Sequence, residues 1–276
     1  MKKNGWIILL VFSLAWMQSC KKTELSIEKM EVTTDDAEFI IETEKITDDF
    51  YEFIDVNAFE EKTIFSRKNF VELPSCAEKS IVIHSPTHYT ITLKFENTGC
   101  ELPNGDTYLG TLIIERNFNG NDKTYSGEII FDNFSINGIK IEGKVSFIHL
   151  LVNQSGVPES DYEYELTFHF ANGDIAKQTG NKIRIWIEGF STVSLTDNIF
   201  LITGKAYILK RNGVEIHTNI TLPLKKIATC PFYVSGRMAI EKENQQAVLD
   251  FGDGSCNNTA TLIFPDGHTV SLRLIH

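Results

Sequence analysis

Between residues 162 and 170 apolar and polar side chains alternate without a break. Tyr162, Tyr164, Leu166, Phe168 and Phe170 fall on one face, and Glu163, Glu165, Thr167 and His169 on the other. A strand turns successive side chains to opposite faces, so this period dictates an antiparallel sheet with one wetted face. The pattern returns along the chain. Ile183, Ile185 and Ile187 stand opposite Lys182, Arg184, Trp186 and Glu188, which reads as an apolar inner face and a polar outer one. Val214, Ile216, Ile220 and Leu222 stand opposite Glu215, His217, Asn219 and Thr221, and residues 139–147 repeat the alternation. Asn-Gly pairs at 104–105, 119–120, 137–138, 172–173 and 212–213, with Asp266-Gly267, punctuate these runs. Asn and Gly accept the positive φ that two-residue hairpin turns require. Strands adjacent in sequence are therefore expected to be adjacent in space, about thirteen of them.

A long, twisted sheet with one apolar face has to curl or fold over to bury it. The expected class is all-β: a long antiparallel up-and-down meander forming an open or closed barrel, a folded-over sheet or a sandwich. A transmembrane β-barrel has the same alternation, but this chain ends in His276 instead of the aromatic residue usual for that class.

The N-terminus constrains location. Lys2 and Lys3 precede a twelve-residue run (WIILLVFSLAWM, residues 6–17) and then Gln18-Ser19-Cys20. Such a run is too short to span a bilayer, and a basic head before it marks a secretory signal peptide. The cysteine at the cleavage site resembles a bacterial lipobox, which implies cleavage before Cys20 and lipidation of its thiol. Two or three acyl chains hold a protein stably to a membrane. The expected divisions are 1–19 as lipoprotein signal peptide, 20–75 as a lipidated tether with an acidic, partly helical segment, and 76–276 as the antiparallel β domain.

Residues 34–61 hold eleven acids and one base, Lys45, against a net charge of −11 for the whole chain. Phe39, Ile46, Phe50, Phe53 and Ile54 are interspersed at spacings that suit one or two short amphipathic helices, the second capped at Thr47-Asp48-Asp49. The segment reads as a solvated tether, since no EF-hand spacing accompanies its acids. An acidic chain without a basic footprint is not a nucleic-acid binder.

Four cysteines follow Cys20. Cys76 and Cys100 bracket an expected hairpin at 80–95, and Cys230 and Cys256 another at 232–251. The runs LKFENTGC (93–100) and LDFGDGSC (249–256) echo each other. Spacing therefore predicts the disulfides Cys76–Cys100 and Cys230–Cys256, one at each end of the meander.

No nucleophile elbow, zinc-protease helix, phosphate loop or dinucleotide fingerprint is present. DFGDG at 250–254 resembles both a kinase motif and the turn of PKD domains, yet reads as a strand ending in an Asp-Gly turn. His84 and His88 are four apart, but Pro86 makes that segment a hairpin turn. His169 and His217 fall on wetted faces. No catalytic residue, cofactor or metal is expected. Trp186, placed by alternation on the polar face, is the candidate binding residue, an aromatic platform for a glycan or a partner side chain.

Together, the CKK after the signal run and the segments GEIIFDNFSING (127–138), WIEGF (186–190), FLITG (200–204) and DFGDGSC (250–256) resemble a family of Bacteroidetes lipoproteins of uncharacterised activity. The resemblance covers residues 76–276 and implies an envelope location and an all-β body. Lys21-Lys22 after the cysteine leaves periplasmic and surface facing both open. The expected function is a non-enzymatic binding or structural role at the outer membrane. The membrane is one partner through the anchor, and a glycan, lipid or envelope protein is a further one. The alternatives are a carrier of an apolar ligand inside the curled sheet and a glycan-acting hydrolase.

Overall fold

The computed structural model describes residues 31–58 and 73–274, apart from positions 103, 193 and 195. The signal run, Cys20 and residues 59–72 lie outside the described residues.

Thirteen antiparallel strands form one sheet in strict chain order. They are β1 (Ala77–Ser85), β2 (His88–Glu101), β3 (Thr107–Asn119), β4 (Thr124–Ile136), β5 (Ile139–Leu150), β6 (Glu159–His169) and β7 (Ile175–Glu188). β8 (Ile199–Lys210), β9 (Glu215–Ile227), β10 (Tyr233–Lys242), β11 (Gln245–Asp253), β12 (Thr259–Ile263) and β13 (Thr269–Arg273) complete it. The sheet is all-β and does not close: β1 pairs with β2 and β13 with β12, and the two edges are not joined. An open sheet edge cannot lie in hydrocarbon, so the transmembrane-barrel alternative does not hold.

The turns are local chemistry. At Asn137–Gly138 both residues have positive φ, 53° and 80°, and the two-residue hairpin is of the expected kind. The pairs at 104–105, 172–173, 212–213 and 266–267 make a different turn. Phe170 N–H donates to the Asp174 carbonyl while Gly173 N–H donates to the Phe170 carbonyl, a three-residue loop with glycine in the left-handed region. The other three repeat this pairing, because Asn or Asp bonds the backbone two residues on and leaves only glycine at positive φ.

The acidic segment differs most from expectation. It is one helix, α1 (Thr34–Ala58), and it lies against the sheet's inner face. Phe53 meets Phe95 of β2 and Tyr108 of β3, Phe50 meets Phe131 and Phe134 of β4, and Tyr51 stacks on Tyr162 of β6 at 4.1 Å. Lys210 of β8 and Lys242 of β10 bond Asp36. One helix touches one face of strands across most of the sheet only if the sheet wraps around it. The segment is thus an interior plug and not a solvated tether. Its cap is Thr33: the Asp36 N–H donates to Thr33 Oγ1 (3.1 Å) and Thr33 N–H donates back to the Asp36 carboxylate (3.1 Å). Thr47 sits mid-helix, its hydroxyl donating to the Thr43 carbonyl.

Curling needs close backbone approach. At Gly143 of β5 (φ 123°) an added Cβ would lie 2.1 Å from the Glu165 carbonyl oxygen, and at Gly204 of β8 (φ 149°) 2.2 Å from that of Asn181. Glycine lets strands bend and cross there. A bulge between β9 and β10, where Arg237 faces Leu222 and Met238 faces Ile220, shifts the β9 alternation. Ile216 is consequently buried while Leu222 is half exposed.

Candidate binding groove

Strand β7 inverts its expected polarity. Lys182, Arg184 and Trp186 point inward and are buried, whereas Ile183, Ile185 and Ile187 are only half-buried on the outer face. The carboxylates of α1 decide this. Lys182 Nζ donates to Glu44 (2.8 Å), Arg184 Nε donates to Asp55 (2.9 Å), and Arg184 Nη1 donates to Asp48. Turning β7 over would leave those buried acids unpaired, which costs several kcal/mol each. Leaving an isoleucine half wet costs about 1 kcal/mol.

The same arrangement continues along successive strands. Lys210 and Lys242 share Asp36 at 2.9 and 2.7 Å, and Lys226 of β9 and Lys45 share Asp49 at 3.1 and 2.6 Å. Burial pushes the Asp36 carboxyl up, but the bonds from Lys242 and Lys210 outweigh it and hold it at about 2. Burial likewise works against Asp49, and Lys226 and Lys45 pull it below the usual carboxylate range. Asp55 also accepts from Ser160 (2.6 Å) and Tyr162 (2.5 Å). These pairs fix the position of the helix in the sheet more than they add stability.

Asp48, Asp49 and Glu52 bring carboxylate oxygens within 4.8 Å of one another. Arg184, Lys226 and Lys45 already neutralise the two aspartates. Burial raises Glu52 to about 7. The adjoining cavity, lined by Lys45, Asp48, Lys226 and Tyr233, is about 20 Å³, room for about one water. It cannot admit a sugar between two carboxylates.

Next to this network, and meeting it at Lys45, which is already paired to Asp49 and Asp106, α1 borders an open groove of about 620 Å³. The hairpin turns at 137–139 and 170–172 form one wall, and Arg273 of β13 stands at its border. Phe39, Ile41, Ile139 and Phe170 supply an apolar floor, with Phe39 and Phe170 in ring contact at 5.4 Å. Asp35, Glu38 and Glu42, spaced three and four apart, fall on one helix face and form an exposed acidic rim. None of the three has an ion-pair partner among the described residues. Burial raises the Glu42 carboxyl. Such a surface can hold an apolar segment carrying positive charge.

The residues singled out from sequence are distributed as follows. Trp186 is not an exposed platform: it is 9% exposed and stacks on Phe200 at 5.3 Å. The inversion of β7 puts it inside, where alternation alone had it outside. Cys76–Cys100 and Cys230–Cys256 are the disulfides, as spacing predicts, with Cα separations of 5.3 and 5.8 Å. His84 and His88 flank the first hairpin with rings 4.7 Å apart, and His84 bonds the Thr90 hydroxyl. His169 pairs with Glu142, and His217 packs edge-on to Tyr207. Asp250 lies within β11, three residues before its end at Asp253, and accepts from Arg237 and from the Gly252 N–H.

In the sequence Asp35, Glu38 and Glu42 look like any solvated acids and carry no signal of a groove. A signal for the ion-pair network was available: Lys210, Lys226 and Lys242 recur every sixteen residues, one per strand of a regular meander. No family model, curated protein or solved structure matches this chain.

Proposed function

We propose that this chain is a lipid-anchored lipoprotein of the cell envelope, held at the outer membrane through Cys20. Its β body works without catalysis, by binding a cationic, apolar segment of an envelope protein in the groove along α1. The basic head, the twelve-residue apolar run and Ser19-Cys20 support the anchor. The acidic rim over the Phe39–Phe170 floor carries the binding half of the reading. A carrier of apolar ligands would use the space inside the curled sheet, and α1 occupies it. A hydrolase would use paired carboxylates in a cleft, and the converging carboxylates of Asp48 and Asp49 are tied to lysines and an arginine.

The test uses detergent-purified full-chain protein and a labelled peptide alternating Lys and Phe. Binding weakened by salt, and reduced roughly tenfold in Glu38→Gln/Glu42→Gln, supports the groove; ten-fold is about 1.4 kcal/mol, in keeping with two partly screened charges. Equal binding by both proteins refutes it. Intact mass of the same sample should show a diacylglyceryl thioether on Cys20, and an unmodified thiol would remove the anchor.

A further inference from the structure

Strand β1 is an edge of the sheet, and its middle is unguarded among the described residues. It pairs on one side only, so alternate N–H and C=O groups have no ladder partner there among the described residues. Ile81, Val82 and Ile83 are 55%, 51% and 68% exposed, three large apolar side chains in succession. Edge strands that stay single are guarded by charge, proline, bulges or brevity. Glu78 and Lys79 put charge at the start of the strand only; residues 80–85 contain no acid, no lysine or arginine and no proline. Pairing with β2 is regular from Ala77 to Ile83 and shifts only beside the turn. The opposite edge, β13, is protected by being five residues long against nine for β1.

We propose that β1 is the interaction surface for a second copy of this chain. Two β1 strands pair antiparallel about a two-fold axis at Val82, and the sheet continues through both molecules. The side chains choose this register. With the axis on Val82, Ile81 of each copy faces Ile83 of the other. Ser80 then faces His84, and Lys79 faces Ser85, so no like charges meet. Moving the axis to Ile81 sets Ile83 against Lys79. Moving it to Ile83 sets Val82 against His84 and Ile81 against Ser85. Only the Val82 axis pairs all three apolar residues with apolar residues. Ile81 and Ile83 share the inner face with their β2 partners Ile91 and Tyr89, and Val82 lies on the outer face. Pairing therefore covers apolar surface on both faces. A single strand pair buries less than the roughly 1,200 Å² of stable interfaces, so the association is weak and concentration-dependent.

The register makes the experiment specific. Full-chain variants Ile81→Cys, Val82→Cys and Ile83→Cys are treated with a short bismaleimide. The four body cysteines are bonded in pairs, and the unsubstituted protein gives the background. Asn244→Cys, on the exposed β10–β11 turn, reports random collision. The expected result is a band of twice the monomer mass from Val82→Cys, at least fivefold above the Asn244→Cys control. Ile81→Cys and Ile83→Cys should each link poorly alone and strongly when mixed. Val82→Lys added to the mixed pair should abolish the product, with an unchanged far-ultraviolet spectrum showing that the fold persists. No homodimer above the collision control overturns the proposal, and so does an adduct with a different protein. Self-linking of Ile81→Cys or Ile83→Cys in preference to Val82→Cys overturns the register.

Discussion

Replacing Arg184 with methionine isolates the largest single electrostatic commitment in the molecule. The Arg184 side chain is 0% exposed, and those of Asp48 and Asp55 are 1% and 3% exposed. Methionine fills much of the volume but leaves two carboxylates facing each other without a cation. Breaking a buried ion pair by removing one partner costs about 3–5 kcal/mol. Total stabilities are about 5–15 kcal/mol, so a large part of the margin is at stake. With a urea slope near 3 kcal/mol per molar, the midpoint should fall by roughly 1–1.7 M at pH 8. The loss should also depend on pH. Burial already raises Asp55 against the pull of Arg184, and losing that cation raises it further. A raised acid contributes stability that is complete below its unfolded pKa and lost as pH rises through its folded one. The gap to wild type should therefore be smallest near pH 4 and below, and widest at pH 8. Trp186, the one tryptophan beyond residue 16, lies two residues away on the same face and reports unfolding by fluorescence. Restoring neutrality with Asp48→Asn and Asp55→Asn in the Arg184→Met background should recover most of the loss. A shift that is the same at both pH values, or below about 1 kcal/mol at pH 8, would refute the reasoning.

Burial raises Glu52 to about 7, so its ionisation opposes folding as pH rises from 4.5 to 7; Glu52→Gln should be neutral at pH 4 and raise stability by about 3 kcal/mol at pH 8, read by urea titration at each pH. His149 is held down to about 3 by burial and by Arg116. Below 6.5 the unfolded chain takes up that proton first, so His149→Gln should flatten the loss of stability between pH 6.5 and 4, and thermal melts across that range would show an unchanged slope if the idea is wrong. Gly143→Ala should lower stability by several kcal/mol, because its Cβ would lie 2.1 Å from the Glu165 carbonyl oxygen at a φ of 123°; an unaltered melting temperature would show that β5 and β6 can part without loss. Cys230→Ser/Cys256→Ser opens a loop of 26 residues, for which the loop-entropy estimate is about 3.5 kcal/mol, and an unchanged urea midpoint would count against it.

The groove and the ion-pair network show where sequence reading stops. Asp35 and Glu38 stand one and two positions from Asp36, and Glu42 stands two from Glu44, yet the first of each pairing faces water while Asp36 and Glu44 face lysines. Residue type does not distinguish them. Their roles follow from a helix whose partners lie far along the chain, with Glu44 and Lys182 separated by 138 residues. The helix itself was partly legible, since the spacing of Ile46, Phe50 and Ile54 has the right period, but that spacing does not say whether the helix lies inside or outside the sheet.

Sequence alone determined the strands, the hairpin order and the disulfide pairing. Each of these is set within a few dozen residues, by the two-residue period of a strand, by the positive φ that Asn-Gly allows and by short loops between cysteines. The tertiary structure decided which face of β7 turns inward, where Trp186 ends up and what fills the curled sheet. Those choices depend on balancing buried charges against each other, and buried charge is compensated only by groups that folding brings together from opposite ends of the chain.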